Sequence, residues 1–267
     1  MSQDLRRATS FSDRRQQDLT TVGEAGEACQ RLIGRRTTPR PGGDPMPPPH
    51  GPLSPPARLW LLAQDTGRPA VEDAAPAQRL VRAGALAELV RLGLLVDDDG
   101  IVTPADLDSR TGDAVLDGLL DLVRESLPHG WRTWVRLRAR LTSDAAREQL
   151  VVRGWLRAER KRVFGVFPSV DHRLASPERV AALRDGTRRV LYGPVPAEEV
   201  GERDAAVAAL AGAARPRALT GGARRAPSGE RIDRLAGRAA GPPDAPRIVR
   251  ELCAALAPAA TGAAARV

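Results

Sequence analysis

Apolar residues recur at helical spacing through most of the chain between about residues 53 and 257. Ser54 ahead of Pro55 is a helix start, a capping hydroxyl followed by proline in the first turn. The helix it opens, about 56–64, carries Leu59, Trp60, Leu61, Leu62 and Ala63, so it is expected to be buried nearly all round. After a turn at Asp65-Thr66-Gly67, the positions Leu80, Val81, Ala85, Leu89 and Leu92 predict a second helix over about 76–92, capped by Gly93. Leu94 to Val96, the turn Asp97-Asp98-Asp99-Gly100, and Ile101-Val102 read as a small hairpin. Helices are expected over 112–126 and 131–141, separated by Pro128-His129-Gly130. Another runs over about 145–153 with Leu150 and Val151 on its apolar side, and Gly154 ends it. Trp155 and Leu156 then lead through a basic run to Val163, Phe164, Val166 and Phe167, interrupted by Gly165, a second hairpin. The order helix, glycine, hairpin thus occurs twice. Ser176-Pro177 and Gly193-Pro194 bracket a helix over 177–192, and alanine-rich helices follow at about 203–214, 229–239 and 245–257. The pattern predicts a mainly α fold, a single helical domain over 53–257 built around a helix bundle, with one or two small β-hairpins.

Outside that domain the patterning fails. Residues 1–52 are polar and charged, then proline-rich, and cannot bury enough apolar area to offset chain entropy. They are expected to be a disordered tail, with room for one short helix around 26–33. Residues 258–267 are expected to be a flexible C-terminal tail.

Charge changes the picture in one place. The chain carries a formal net charge of +8, a pI near 10.9 and a single lysine, Lys161. Part of the arginine excess reflects base composition, so the global value argues less for a polyanion partner than its size suggests. Locally, Arg153, Arg157, Arg160, Lys161 and Arg162 oppose one acid, Glu159, which gives 5 − 1 = +4 over residues 153–162. Trp155, Phe164 and Phe167 flank that charge in a chain with only 3% aromatic residues. Cationic and aromatic side chains together favour an anionic surface. Cys29 and Cys253 lie in unlike contexts and predict neither a disulfide framework nor a metal site. No apolar run approaches the ~18–20 residues of a membrane span, and the first residues lack a signal-peptide core. The expected location is cytoplasmic, with any membrane contact peripheral.

Other candidate chemistry is sparse. The aspartate run 97–99 lacks the ligand pattern of a calcium loop and reads as a solvated turn. His50, His129 and His172 lack partners at metal spacing. Gly221-Gly222 near Arg224-Arg225 lacks the lysine and preceding strand of a phosphate loop. With no nucleophile elbow and no histidine–carboxylate pattern, the expectation is a protein that is not an enzyme and uses no cofactor or metal. Arg82 sits between apolar neighbours, and Arg136, Arg138 and Arg140 alternate with Val135, Leu137 and Ala139. Arginines on helices are ordinarily solvated, but several converging on one pocket would suit phosphate.

Four segments, LWLLAQDTGRPA, LVRAGALAELVRLGLL, RTGDAVLDGLL and EQLVVRGWLRAERKRVFGVF, occur in an order and spacing that resembles the Golgi phosphoprotein 3 family and its bacterial relatives, over about residues 52–257. The resemblance implies a helical, peripheral membrane protein that binds phosphatidylinositol 4-phosphate, with a hairpin that dips apolar residues into the bilayer. That hairpin matches about residues 156–168, and its implied membrane residues are Arg157, Arg160, Lys161, Arg162, Val163, Phe164 and Phe167. The family's lipid pocket uses a tryptophan and three arginines. Two arginines fall on Arg82 and Arg140. The third falls on Ser143, with Arg147 a turn later as the nearest substitute, and the tryptophan falls on Glu72 or Asp73.

The hairpin supports membrane contact on its own physics. A basic residue near an anionic bilayer contributes about 1 kcal/mol, so a net +4 gives roughly 4 kcal/mol. Burying Phe164 and Phe167 adds about 1.5–3 kcal/mol each. The expected partner is an anionic membrane lipid, by resemblance a phosphoinositide, with no specific nucleic acid. Two other readings of the same residues stay open: a winged helix binding DNA, and a non-catalytic protein-interaction scaffold.

Overall fold

A computed structural model describes residues 52–64, 74–163, 167–220 and 226–258, with the backbone alone at 160–163 and 167–170. The expectations for the N-terminal tail, residues 259–267, His50, Glu72, Asp73, Phe164, Gly221-Gly222 and Arg224-Arg225 lie outside the described residues. So do those for the side chains of Arg160, Lys161, Arg162, Val163 and Phe167.

The fold is built around one helix. After α1 (Pro55–Ala63), α2 (Ala75–Arg91) buries every residue from Leu80 to Val90. Such a helix needs neighbours on all sides. They are α1, α3 (Ala114–Arg124), α4 (Trp131–Arg136), α5 (Ala139–Val152), α7 (Glu202–Ala214) and α10 (Ala245–Leu256). Gly84 makes the α1 contact possible, because a Cβ there would collide with Leu59. α6 (Pro177–Tyr192), the short α8 (Arg217–Thr220) and α9 (Gly229–Ala236) complete ten α-helices among the described residues, all within the compact unit Pro49–Val267. The mainly α expectation holds.

The repeated helix–glycine–hairpin unit is real in geometry. Gly93 (φ 71°) and Gly154 (φ 68°) both take the left-handed conformation. Leu94 N–H donates to Leu89 O and Gly93 N–H to Val90 O, at 2.9 and 2.8 Å. Trp155 N–H to Leu150 O and Gly154 N–H to Val151 O repeat the pattern at 2.9 and 3.0 Å. This is the bonding of a glycine-terminated helix end.

The first hairpin, β1 (Leu95–Asp98) and β2 (Ile101–Pro104), turns through Asp99 and Gly100, both at positive φ as a two-residue hairpin loop requires. It gains a third strand the sequence does not announce: β3 (His129–Gly130) pairs with β2. Asp97 belongs to this structure rather than to a solvated turn. Its carboxylate accepts from Trp131 Nε1, from Gly100 N–H at 2.9 Å, and pairs with Arg247 at 3.0 Å. Burial pushes that carboxyl upward, but these donors hold it below the usual carboxylate range. The second hairpin, β4 (Leu156–Val163) and β5 (Phe167–Leu174), is longer than expected, because the basic run Arg157 to Arg162 is itself strand and the return reaches Leu174.

One helix expectation needs correction. Residues 131–141 do not form a single helix. The chain breaks at Leu137 and Arg138, where Arg138 takes φ 48°, and α5 starts at Ala139, six residues before its expected start. No glycine or proline marks the break, which is why periodicity passes over it.

Much of the arginine content is structural. Arg184 donates to Leu61 O and Gln64 O at the end of α1. Arg188 donates to Ala218 O and Leu219 O in α8 at 3.0 and 2.9 Å, and Arg231 to Val190 O in the last turn of α6 and to Val195 O in the loop beyond it, each at 2.7 Å. Cations there satisfy orphan carbonyls and meet the negative end of the helix dipole.

Glu88, buried in α2, pairs with Arg91 at 2.8 Å and with Arg203 of α7. Burial would raise its pKa, but hydrogen bonds from Arg91 and Arg203 hold it below the ordinary 4.5. The group is depressed in the folded state, so its stabilisation is present above the unfolded value and is lost as pH falls past it. Glu88→Ala should cost about 1–3 kcal/mol in chemical denaturation by removing the carboxylate that joins Arg91 to Arg203 of α7. Wild type should lose stability below about pH 4.5. A Glu88→Ala chain as stable as wild type at neutral pH would show that the pair holds nothing.

Candidate functional site

The break at Leu137-Arg138 builds the site. Because Arg138 is left-handed, α5 begins abruptly, and its Ncap side chain makes no hydrogen bond to the first turn. The first N–H groups of such a helix lack intrahelical acceptors and carry the positive end of its dipole, a natural place for an anion. Arg82 arrives at this corner from α2. Its Nη2 donates to Arg138 O at 2.7 Å, the carbonyl that also accepts Leu141 N–H at 3.0 Å.

Arg82 is 0% exposed, and among the described residues its Nε and Nη1 have no hydrogen-bond partner and no carboxylate pairs with it. Burial lowers its pKa from 12.5 to about 10, so it stays charged at neutral pH. The drop corresponds to a burial cost of about 3 kcal/mol. A buried guanidinium with two nitrogens unpaired among the described residues, bonded through its third to the carbonyl at an uncapped helix start, makes this corner a candidate site for a phosphate-like anion.

The other expected residues fall along α5. Arg140, in its first turn, is 78% exposed, and its Nε lies 3.3 Å from Asp144 Oδ2. Ser143 is buried. Arg147 pairs with the same Asp144 at 2.9 Å, and its Nε is buried without a partner. Arg147 also faces His172 on β5, whose pKa lies below 6.5 through burial and that cation, against Asp171. The α5 helix therefore carries both pocket candidates and ends at Gly154, where the hairpin starts. The hairpin base is anchored by Leu156, which is buried, while Arg157 is exposed on β4.

Two contributors escape sequence reasoning. Arg138 acts through its backbone, and nothing in its residue type signals that. Asp144 was legible in principle, since it stands four residues after Arg140 and three before Arg147.

A cavity of about 670 Å³ lies elsewhere, between the starts of α1 and α7, Trp155 and α6. It is rich in arginine, but Arg58 pairs with Asp204 at 2.5 Å, and Arg91 and Arg203 pair with Glu88. Arg179, which also lines it, stacks on the Trp155 ring at 4.0 Å. Among the described residues no group of three His, Cys, Asp or Glu could hold a metal ion.

The architecture defines a class: a helical domain with a fully buried arginine at a helix start, an antiparallel hairpin whose sequence is basic, and no described helix long and apolar enough to cross a membrane. Comparison with known families places it further. A family model described as Golgi phosphoprotein 3 (GPP34) matches residues 56–256, nearly the whole described domain, and the chain belongs to that family. No curated protein matches the chain.

Replacing Arg82 separates a structural role from a ligand role. Arg82→Met keeps the length of the side chain and removes the burial cost along with one hydrogen bond. The melting stability should stay within about 1 kcal/mol of wild type or rise, as when buried ions give way to apolar residues. A loss of several kcal/mol in denaturant titration would make Arg82 a structural cap like Arg184.

Proposed function

We propose that this protein is a peripheral membrane protein that binds an anionic phospholipid at the Arg82 corner and steadies itself on the bilayer with the β4–β5 hairpin. The observation that carries the reading is Arg82: fully buried, charged, and without a carboxylate partner among the described residues. A phosphate there would accept from Arg82 and from the first N–H groups of α5. Membership of the Golgi phosphoprotein 3 family favours phosphatidylinositol 4-phosphate as the lipid. The reading assigns no catalytic step to the protein and puts it on a cytoplasmic membrane face.

Two contacts divide the labour. The pocket supplies recognition through Arg82, Arg140 and Arg147. The hairpin supplies area and charge: Arg157, Arg160, Lys161 and Arg162 meet anionic headgroups, while Val163, Phe164 and Phe167 enter the acyl region. Each alone gives weak, reversible association, and two signals together make it stable.

Vesicle flotation tests this. Phosphatidylcholine vesicles carrying phosphatidylinositol 4-phosphate should capture the protein, neutral vesicles should not, and a DNA duplex should bind less well than the lipid at equal salt. Arg140→Ala should weaken capture about threefold to tenfold, the effect of one partly exposed charge contact, while Arg189→Ala on α6 should change little. Phe164→Ser with Phe167→Ser should release the folded protein even at low salt. Equal losses at Arg140 and Arg189 would mean diffuse attraction without a pocket.

A further inference from the structure

The cavity of about 670 Å³ lies within the helical domain and takes no part in the lipid reading. Its volume is that of a small-molecule site. Leu53 ahead of α1, Trp155 at the start of the second hairpin and Leu183 on α6 give it an apolar wall. Arginines reach it from four elements: Arg58 on α1, Arg91 at the end of α2, Arg179 on α6 and Arg203 on α7.

The charges around this cavity do not cancel. Arg58 is paired with Asp204, and Glu88 is shared between Arg91 and Arg203. Glu202 is the other acid that lines it. Four arginines against Asp204, Glu202 and Glu88 leave 4 − 3 = +1. Arg179 is the cation left over. Among the described residues its guanidinium has no carboxylate partner, and its Cζ lies 4.0 Å from the centroid of the half-buried Trp155 ring. Stacking of this kind holds a guanidinium in place and leaves its N–H edge for an acceptor. Arg203 adds an open donor, since its Nε is buried without a partner among the described residues.

This balance selects the ligand. One surplus positive charge, with two carboxylates in the same wall, favours a monoanion and penalises a dianion through like-charge repulsion. The two oxygens of a carboxylate match the fork of a guanidinium. The apolar wall beside Arg179 accepts a hydrocarbon body. We propose that this cavity is a second binding site, for a small organic monocarboxylate, with the carboxylate on Arg179 over its Trp155 platform and the apolar body against Leu53 and Leu183. The site is separate from the Arg82 corner and does not rest on the lipid reading.

Calorimetric titration of the full chain tests this with 2-naphthoate and its neutral isostere naphthalene-2-carboxamide. The acid should bind saturably and about tenfold more tightly than the amide, the effect of one charge-assisted pair. Arg179→Gln should erase that difference by weakening the acid alone, and Arg179→Lys, which keeps the charge without the fork, should restore part of it. Arg189→Gln, an equal loss of charge at an exposed position on the same helix, should leave it intact, and so should Arg82→Met. Leu183→Trp fills the cavity and should abolish binding of both compounds. Arg179 is exposed, so its variants should keep the wild-type melting curve whether or not Leu183→Trp folds. Absence of saturable naphthoate binding overturns the proposal. So does an Arg179→Gln chain that still prefers the acid, or an equal loss in Arg189→Gln or Arg82→Met.

Discussion

The structure depends on α2 carrying two charges into the core. Glu88 and Arg82 lie six residues apart, about 9 Å along the axis. Their surroundings differ in kind. Glu88 is met by Arg91 and Arg203, a triad in which the buried carboxylate has both partners it needs. Arg82 meets one backbone carbonyl, and its other two nitrogens have no partner among the described residues. A protein that needed only stability at this point would do better with a methionine or leucine. The retained cation supports the proposed site.

The rest of the arginine budget explains why global charge misleads. Arg184, Arg188 and Arg231 are joined to carbonyls at helix ends, and Arg58, Arg203 and Arg247 to carboxylates. These side chains hold helices to one another. The proposed partner contacts are local: the Arg82 corner, the Asp144-linked pair on α5, and the basic run that opens at the exposed Arg157. The α5 helix joins all three, since Arg82 reaches its start, Arg140 and Arg147 sit on it, and Gly154 hands its end to the hairpin.

The helices and the doubled helix–glycine–hairpin unit were legible because their signals are local. Proline starts at Pro55 and Pro177, the caps at Gly93 and Gly154, and the Asp99-Gly100 turn each act within a few residues. β3 was hidden because two residues carry no periodicity and pairing with β2 is a tertiary event. The α4–α5 break was hidden for a related reason: Arg138 is held left-handed without glycine, in a corner where its carbonyl meets Arg82, 56 residues away. The candidate arginines could be named from family resemblance. Their states could not, because burial of Arg82 and restraint of Arg140 by Asp144 depend on which helices pack together.

A phosphate held between Arg82 and the start of α5 must touch the backbone N–H groups of Ala139 and Arg140. Residue-resolved amide hydrogen exchange, with and without vesicles carrying phosphatidylinositol 4-phosphate, reads that contact directly. The account predicts that exchange slows at Ala139 and Arg140 together with the β4–β5 hairpin. Slowing in the hairpin with no change at Ala139 and Arg140 would contradict it, leaving a protein that touches membranes by charge and aromatic contact alone.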